Sequence, residues 1–263
     1  MIAPTLAIAR AAGERILAVY RGAFAVDWKA DESPLTAADL AAHEAIVAGL
    51  GRLTGDLPIL SEESAAASWE ARRHWRRFWL VDPLDGTREF IQRNDQFTVN
   101  IALIEDSEPV LGVVLIPAQG LGYFAARGFG AFRQADEESP QRIAVQPLQP
   151  EQPIRVVGSR SHGGPQQQAF IARIPQSEFV ALGSALKFCW IAEGRADVYP
   201  RFGPTYEWDT AAAQCVVEEA GGHVVTLAGE RLRYNKPSLL NPHFLAFADI
   251  RHDWRAYLAP ATP

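Results

Sequence analysis

The spacing of apolar positions predicts two helices at the start of the chain and an antiparallel meander after them. Apolar residues recur at helical intervals over residues 5–20, and a second helix is predicted from Thr36 onward, with Asp39 at the position of a capping box. Three runs rich in β-branched and aromatic residues then predict consecutive strands, at 97–104, 110–116 and 122–126. Short polar turns join these runs, which is typical of an antiparallel sheet.

A polar, proline-containing stretch at 134–153 separates the meander from a region in which short strands alternate with helices. The strands are predicted at 154–157, 179–182, 196–199, 223–227 and 244–248, and the helices at 165–174, 184–193 and 209–220. We therefore expect a mixed α/β chain with an N-terminal α+β subdomain over 1–145 and a C-terminal α/β subdomain over 146–263.

The segment 78–90 carries the clearest chemical signal, because an apolar run breaks there into two acids. Its apolar part predicts a buried strand, and Pro83, which cannot donate to a sheet ladder, predicts that the strand ends near Asp82. Gly86 permits a tight bend before a predicted helix. Asp82 and Asp85 are therefore expected close together at the end of a strand.

Acidic residues recur at the ends of other predicted elements. Glu62 follows a short predicted strand at 57–60, and Asp209 opens the predicted helix at 209–220. Ligands in sheet-based folds gather beyond strand ends and at helix N-termini, and carboxylates that meet there repel one another unless a cation is bound. Oxygen ligands without a cluster of His or Cys favour Mg²⁺ or Mn²⁺ over zinc.

Each of these residues also has an ordinary structural interpretation. Asp209 alone is a helix cap, Asp39 alone is half of a capping box, and Glu62 alone belongs to a solvated loop. Lys187 within a helix is usually a surface charge, and His162 in a glycine-rich loop is usually only exposed. Taken one at a time, the residues leave both interpretations open.

Composition and charge exclude several classes of function. Hydrophobic residues make up 48% of the chain and its formal net charge is −6, which argues against general binding to nucleic acid or to anionic membranes. The basic and aromatic stretch at 69–77 is better explained as a solvated face whose tryptophans pack inward than as a nucleic-acid site.

No apolar run approaches the ~18–20 residues that span a bilayer, so no integral membrane segment is expected. The N-terminus lacks the pattern of a secretory signal. The two cysteines, Cys189 and Cys215, lie in apolar surroundings and are expected to be small core residues without a disulfide. We expect a cytoplasmic location, either free or peripheral to the inner membrane.

Three motifs of the chain resemble signatures of the inositol monophosphatase superfamily. The run 80–87, Leu-Val-Asp-Pro-Leu-Asp-Gly-Thr, resembles its Asp-Pro-x-Asp-Gly-Thr signature. The run 207–212, Glu-Trp-Asp-Thr-Ala-Ala, with Glu-Ala-Gly-Gly at 219–222, is similar to the second signature, and Ser-Glu-Glu at 61–63 matches a third element. The resemblance extends over essentially the whole chain. It implies the sugar phosphatase-like fold of that superfamily, an α/β (α+β) layered sandwich with alternating layers of helices and sheets.

Within the superfamily the chain most resembles the bacterial 3′(2′),5′-bisphosphate nucleotidases. Five segments carry this likeness: 33–39, 85–90, 159–162, 183–189 and 199–205. The chain departs from the pattern at Arg88, where such chains commonly carry Lys, and at Ala213, where Gly is frequent. Arg88 keeps the charge but changes its geometry, and neither departure affects an implied metal ligand.

The resemblance implies metal-assisted hydrolysis of a phosphomonoester without a covalent intermediate. The implied metal ligands are Glu62, Asp82, Asp85, Asp209 and the backbone carbonyl of Leu84. Glu62 and Thr87 would hold the attacking water, and Asp39 would orient the Thr87 hydroxyl. The implied substrate contacts are Glu62, Leu84, Asp85, Gly86, Thr87, Ser159, His162, Gly183, Lys187, Arg201 and Asp209. Among these, Lys187 and Arg201 would bind the phosphate that is not cleaved.

The implied function is Mg²⁺-dependent hydrolysis of adenosine 3′,5′-bisphosphate to AMP and phosphate in sulfur assimilation, with the related phosphosulfate as a further substrate. The resemblance also implies that the enzyme binds two or more Mg²⁺ ions, that Mn²⁺ can replace them, and that Li⁺ inhibits the activity. An inositol or fructose-bisphosphate phosphatase is the alternative in the same class, and a catalytically silent ligand-binding protein is the alternative from another class. The motifs leave open a monomer or a homodimer, and whether the 27–35 loop closes over the site.

Overall fold

Helices and sheets alternate in layers in the computed structural model of the chain, which describes residues 1–28, 34–64, 67–136, 138–159 and 164–258. The helices are α1 (Ile2–Tyr20), α2 (Ala37–Thr54), α3 (Trp69–Arg72), α4 (Thr87–Ile91), α5 (Pro165–Ala172), α6 (Leu186–Ala192) and α7 (Glu207–Glu219). Two short 3₁₀ helices lie at Pro117–Gln119 and Trp254–Tyr257. Within the described residues, no helix is both long and apolar enough to cross a membrane.

Fourteen strands are described, and twelve of them form two large sheets. They are β1 (Val26–Trp28), β2 (Pro34–Thr36), β3 (Ile59–Ser61), β4 (Arg77–Asp85), β5 (Thr98–Glu105), β6 (Glu108–Ile116), β7 (Leu121–Ala126), β8 (Gly130–Ala135), β9 (Gln141–Ile143), β10 (Ile154–Ser159), β11 (Ser177–Leu182), β12 (Val198–Arg201), β13 (His223–Thr226) and β14 (Phe244–Phe247).

The larger sheet has seven strands in the order β3-β4-β5-β6-β7-β8-β9. From β4 to β9 every neighbouring pair is antiparallel, while β3 runs parallel to β4. The predicted meander is thus present. Within the polar stretch 134–153, where no strand was predicted, β9 is a short and largely exposed strand on the edge of the sheet. The smaller sheet has five strands in the order β11-β10-β12-β14-β13 and mixes parallel with antiparallel pairs.

The alternation of side chains along β4 explains why helices cover both faces of the larger sheet. Trp79 and Val81 point into a core that α1 and α2 complete, with Ile16 and Ile46 among the fully buried contacts. Phe78 and its alternate neighbours point the other way, into a second core with α6, α7 and the smaller sheet. A third core packs α5 and the C-terminal 3₁₀ helix on the far face of the smaller sheet. The result is five layers, helix–sheet–helix–sheet–helix, which confirms the predicted layered α/β fold.

The second core joins residues from both predicted subdomains. Leu80 of β4 and Val216 of α7 belong to the same buried cluster, although they lie on opposite sides of residue 145 in the sequence. The division into 1–145 and 146–263 therefore stays a prediction about folding units. The two large sheets draw their strands from either side of that position, the larger from 59–143 and the smaller from 154–247.

Helix α7 lies unusually close to the larger sheet at Gly112 of β6. A Cβ atom built on Gly112 would stand 2.2 Å from the carbonyl oxygen of Ala212 and 2.9 Å from the Cβ of Cys215. Only a residue without a side chain fits there, because the obstacle is helix backbone that cannot rotate away. The small residues on this face of α7, Ala211 and Ala212, bring the helix down to the same depth.

Candidate active site

Strand β4 does not end at Asp82, as the proline predicted, but continues to Asp85 through an irregularity in the ladder. Asp82 pairs with Asn100 and Asp85 pairs with Thr98, so the register shifts between them. Pro83 lies inside this bulge, where a missing N–H group leaves no gap in the hydrogen bonding. Asp82 accepts a hydrogen bond from the backbone N–H of Leu84 at 3.1 Å, which fixes the bulge and the direction of its carboxylate.

A left-handed glycine then starts the next helix. Gly86 has φ 87° and ψ 44° and is the N-cap of α4, with Thr87 as the first helical residue. A residue with a Cβ would be strained at this φ, and its Cβ would stand 3.2 Å from Ser184 across the cleft. The bulge and the glycine together place Asp82, Asp85 and Thr87 along one wall of a cleft.

Three carboxylates meet in this cleft from three elements. Glu62 follows β3, Asp82 lies on β4 and Asp209 lies in the first turn of α7, and one oxygen of each lies within 4.8 Å of the others. Helix α7 starts at Glu207, two residues earlier than predicted, so Asp209 is its third residue rather than its cap. One Asp209 oxygen accepts from the backbone N–H of Tyr206 at 2.9 Å, which orients the carboxylate. The capping interpretation and the metal-site interpretation of Asp209 thus apply to the same side chain.

The electrostatics of the cluster favour a bound cation. Burial, followed by the charges of Glu62, Asp85 and Asp209, raises the pKa of Asp82 well above its usual range. Burial and the same kind of repulsion raise the pKa of Asp209. A cation removes this conflict because it makes all the ionised forms favourable at once. The donors are oxygens, which fits a hard divalent cation rather than zinc.

Asp85 lines the same cleft but stands outside the group of three carboxylates. Burial raises its pKa to about 6, an effect that the nearby Lys187 ammonium opposes. Its Oδ2 atom accepts from the Thr98 hydroxyl at 3.4 Å. Beside it, Asn100 is 1% exposed, and the interaction of its side-chain amide with Asp85 lowers the pKa of that carboxyl. Neither atom of the amide makes a hydrogen bond of good geometry in the described part of the chain, so the amide keeps capacity to bind the water of an ion.

Asp39, in the first turn of α2, contacts the cleft residue Thr87. The Thr87 hydroxyl donates to Asp39 Oδ1 at 3.3 Å and lies 3.4 Å from the carbonyl oxygen of Leu84. The other Asp39 oxygen accepts from the backbone N–H and the hydroxyl of Thr36, both at 2.7 Å, and closes the predicted capping box of α2. Asp39 is 1% exposed, so both of its hydrogen-bonded oxygens are shielded from solvent.

The cleft has a volume of about 310 Å³, and three cationic side chains line it together with the acids: Arg88, Lys187 and Arg201. Lys187 is 5% exposed, and its ammonium donates to the carbonyls of Leu182 at 3.2 Å and Ser184 at 2.5 Å. Lys187 is therefore a buried residue, and the interpretation of Lys187 as a surface charge does not apply. Arg201 is 9% exposed; it donates to the carbonyl of Pro204 at 2.8 Å, whereas its Nε atom has no partner among the described residues.

The remaining predicted contacts are placed as follows. Ser159, at the end of β10, lines the cleft. Gly183 lies behind the lining residue Ser184, and its N–H donates to the side chain of Gln96 at 2.8 Å. Ser184 in turn donates to the Gln96 carbonyl at 2.9 Å. His162 and residues 29–33 of the predicted loop lie outside the described residues.

Several residues of the cleft were missed from the sequence. They include the aromatic pair Tyr206 and Trp208, and Glu89 and Ser184 also line the wall. The Trp–Asp part of the second motif contained the only signal for Trp208. No local pattern pointed to Gln96, because its partners lie 87 and 88 residues away.

The basic stretch 69–77 is used within the chain. Arg72 is buried and donates to the carbonyls of Lys236 and Pro237, while Arg76 pairs with Asp106. Trp75 packs on Phe78, as the solvated-face interpretation expected. Cys189 and Cys215 are buried free thiols.

The fold and the acidic cleft define a layered α/β phosphatase of one family, and the comparisons agree. The model of the inositol monophosphatase family matches residues 1–258, and the chain belongs to this family. The 3′(2′),5′-bisphosphate nucleotidase CysQ of Salmonella typhimurium (strain LT2) is 48% identical over 247 residues, covering 93% of this chain and 98% of that protein. CysQ of Escherichia coli (strain K12) is 48% identical over 240 residues, covering 90% and 95% respectively.

A solved structure is similarly close. The crystal structure of CysQ from Bacteroides thetaiotaomicron, a bacterial member of the inositol monophosphatase family, has a TM-score of 0.82 at 42% identity, covering 94% of this chain and 96% of that chain. The resemblance inferred from the motifs is confirmed.

Proposed function

We propose that this chain is a Mg²⁺-dependent 3′(2′),5′-bisphosphate nucleotidase that hydrolyses adenosine 3′,5′-bisphosphate to AMP and phosphate. The observation that carries the proposal is one cleft in which Glu62, Asp82 and Asp209 converge beside Thr87, with the buried cations Lys187 and Arg201 in the same lining. A phosphatase specific for a bisphosphate needs both parts, one to cleave and one to hold the second phosphate. The 48% identity to CysQ proteins over most of the chain supports the same substrate class.

The acidic residues present fit a divalent-cation site, and we expect two or more ions to bind there. Glu62, Asp82, Asp85, Asp209 and the Leu84 carbonyl would hold them, and Mg²⁺ is the expected ion, with Mn²⁺ as a substitute and Li⁺ as an inhibitor. When bound, the cations supply Lewis-acid stabilisation of charge on the transferred phosphoryl group. The raised pKa of Asp82 and the incompletely satisfied amide of Asn100 support this assignment.

The protein groups position the nucleophile. The Thr87 hydroxyl donates to Asp39, so its oxygen lone pairs are available to accept a hydrogen bond from the attacking water. Glu62 provides a second acceptor for that water. As the water attacks phosphorus, its proton passes to the Thr87 oxygen while the Thr87 proton moves to Asp39, which makes the pair a relay that threonine alone could not provide. The backbone N–H groups of Gly86 and Thr87 would hold the phosphate oxygens.

The uncleaved 5′-phosphate would be bound by Lys187 and Arg201. Arg201 supports this role best, because its buried Nε–H has no described partner and it lines the cleft. A guanidinium that already donates to Pro204 is held in a fixed orientation, which favours recognition of a phosphate. Ser159, Gly183 and His162 would contact the nucleotide, as the resemblance implies.

An inositol or fructose-bisphosphate phosphatase is the second candidate. A polyol monophosphate has no second phosphate for Lys187 and Arg201, so the buried cation pair favours the nucleotide. A catalytically silent binding protein would be expected to have lost part of the carboxylate set, whereas this chain retains all four acids and Thr87. We further propose that the enzyme acts in the cytoplasm in sulfur metabolism, as a monomer or a homodimer.

Phosphate release tests the proposal directly. The purified protein with Mg²⁺ would be assayed on adenosine 3′,5′-bisphosphate, inositol 1-phosphate and fructose 1,6-bisphosphate. We expect the highest kcat/KM for the adenosine bisphosphate. A preference for either of the other substrates would overturn the nucleotide assignment, and no turnover of any of them would favour a binding protein.

A further inference from the structure

An aromatic pair stands at the mouth of the cleft and has no part in the mechanism above. Tyr206 is the N-cap of α7 and Trp208 is its second residue, and both line the cleft. Their rings stack with centroids 4.9 Å apart and an angle of 14° between the planes. Tyr206 is nevertheless 40% exposed, so the stack presents an aromatic surface to solvent beside the acidic cluster.

The surrounding backbone holds the pair in place. The N–H of Tyr206 donates to Asp209, and its carbonyl accepts from the buried amide of Asn241 at 2.7 Å. A β-bridge pairs Tyr206 with Leu240, which is 45% exposed and extends the apolar rim. Because this segment is fixed before a ligand arrives, little conformational entropy remains to be lost when an aromatic ligand is bound.

Most of the other described residues that line the cleft carry carboxylates, cations or hydroxyls, which suit phosphates, a ribose and metal ions. The apolar lining residues Leu84 and Pro204 have no aromatic ring on which a base could stack. Phe188 and Tyr199 also border the cleft but are 3% and 2% exposed, so their rings are already covered. The Tyr206–Trp208 pair is therefore the exposed aromatic surface that the described cleft offers to a base.

We propose that the Tyr206–Trp208 stack is the nucleobase platform of this enzyme, with the base lying on the exposed face of the stack. The inference rests on the proposed function, since it assigns the base of that nucleotide to a surface. Every nucleobase has a π-face, so the platform distinguishes a nucleotide from a sugar phosphate rather than one purine from another. Guanosine 3′,5′-bisphosphate is accordingly a substrate, and a bisphosphate without a base binds weakly.

Steady-state kinetics of Tyr206→Ala tests the platform. Losing a base-stacking surface should raise KM for adenosine 3′,5′-bisphosphate roughly 5- to 100-fold. We expect kcat to change little, because Tyr206 touches no reacting atom. Tyr206→Phe and Tyr206→Trp keep an aromatic face and should restore a KM close to that of the wild type. For 1-deoxyribose 3,5-bisphosphate, which lacks a base, KM should be the same in all four proteins.

Two controls make the result specific. Phe129→Ala removes another exposed aromatic ring, 70% exposed and away from the cleft, and should leave KM unchanged. Binding of AMP should also quench tryptophan emission in the wild type and much less in Trp208→Phe, which reports on the stack without turnover. Thermal unfolding of each variant shows whether it is folded.

The outcomes separate the two proposals. If the wild type does not hydrolyse adenosine 3′,5′-bisphosphate, the proposed function fails. If the wild type does so, but Tyr206→Ala has an unchanged KM or raises KM equally for the base-free substrate, the platform is wrong and the function stands. A loss of activity in Tyr206→Ala that Tyr206→Phe does not restore would also contradict stacking.

Discussion

Asp39 joins the Thr87 hydroxyl to the first turn of helix α2 through a single carboxylate. One oxygen accepts from Thr87 at 3.3 Å, and the other accepts from the N–H and hydroxyl of Thr36. The helix cap therefore sets the direction of the oxygen that faces Thr87. The two interpretations of Asp39 that the sequence left open, structural cap and catalytic partner, are both present in the geometry.

Asp39→Asn should separate these two roles. The amide oxygen can still accept from Thr36, so the melting temperature should change little, but the neutral side chain can no longer take up a proton. Loss of a general base typically costs ~10²–10⁴ in rate, and we expect kcat to fall by this amount while KM stays similar. Steady-state phosphate release and thermal unfolding of the same preparation measure both effects.

Thr36→Ala is the matched control for that variant. It removes the hydroxyl of the cap, which should cost about 1 kcal/mol of stability, but it leaves the Asp39 carboxylate beside Thr87. We expect a lower melting temperature with kcat within about threefold of the wild type. A loss of kcat in Thr36→Ala as large as in Asp39→Asn would show that Asp39 acts only through the helix.

Asp85→Asn should abolish turnover without unfolding the protein. The substitution keeps the shape of the side chain and its contact with Thr98 but removes one of the proposed metal-binding carboxylates. We expect kcat/KM to fall by at least about a thousand-fold, which corresponds to ~4 kcal/mol of transition-state stabilisation. Phosphate release over a wide range of Mg²⁺ concentrations is the measurement. Recovery of full activity at high Mg²⁺ would mean that Asp85 only assists binding of the ion.

Mg²⁺ should stabilise the wild type, because the ion relieves the repulsion among Glu62, Asp82 and Asp209. In the metal-free protein, Asp82→Asn removes a charge from the centre of this cluster and keeps an acceptor for the Leu84 N–H. In EDTA, we expect Asp82→Asn to melt about 2–4 °C higher than the wild type. This shift corresponds to a gain of ~1 kcal/mol in the free energy of unfolding for a chain of this size. We also expect the increase caused by Mg²⁺ to be much smaller in the variant.

Differential scanning fluorimetry with and without Mg²⁺ measures these changes, with Ca²⁺ and Na⁺ as further additions. Asp106→Asn provides a control, because Asp106 pairs with Arg76 on the surface away from the cluster. That variant should keep the full Mg²⁺ response. If Mg²⁺ does not change the melting temperature of the wild type, a metal site at the three carboxylates is contradicted.

Lys187→Ala should mainly raise KM for the bisphosphate. A hydrogen bond from a charged group contributes ~1.5–3 kcal/mol, so KM should rise roughly 10- to 100-fold. Adenosine 3′-monophosphate, which lacks the 5′-phosphate, serves as the control substrate, and its KM should change much less. Equal KM values for wild type and variant on the bisphosphate would contradict the 5′-phosphate role.

Lys187 also has a structural role that the kinetics must allow for. Its ammonium donates to the carbonyls of Leu182 and Ser184, and Ser184 has a φ of 41°, a strained value for a residue with a side chain. Part of the effect of Lys187→Ala is therefore expected as a lower melting temperature. Lys187→Met, which keeps the buried stem, separates lost packing from lost charge.

Elements with strong local patterns were predictable from the sequence, and elements that depend on distant contacts were not. The helix at 5–20 and the meander at 97–126 were correct within a few residues, because their apolar spacing is regular. The end of β4 was wrong, because Pro83 breaks a regular ladder but is compatible with a bulge, which local rules do not reveal. The start of α7 was wrong by two residues, because Asp209 closes its cap from the third position.

The metal-site residues could be proposed from motifs, but their arrangement could not. No local pattern separates Asp85 from the group formed by Glu62, Asp82 and Asp209. The burial of Lys187 rules out one of its two interpretations, the surface charge, and local spacing could not do so because its neighbours come from several elements. Two further features depend on how the elements pack: the contact of Gln96 with Gly183 and the stack of Tyr206 on Trp208. The local spacing of residues does not predict such packing.

Gly112 of β6 sets the distance between helix α7 and the larger sheet, because it has no side chain to separate them. Gly112 touches α7 at Ala212, three residues beyond Asp209, or about 4.5 Å along the helix axis. Any side chain at this position would lift that turn away from the sheet that carries Asp82. The separation of two charges in the acidic cluster is therefore set on a buried face that no substrate or ion reaches.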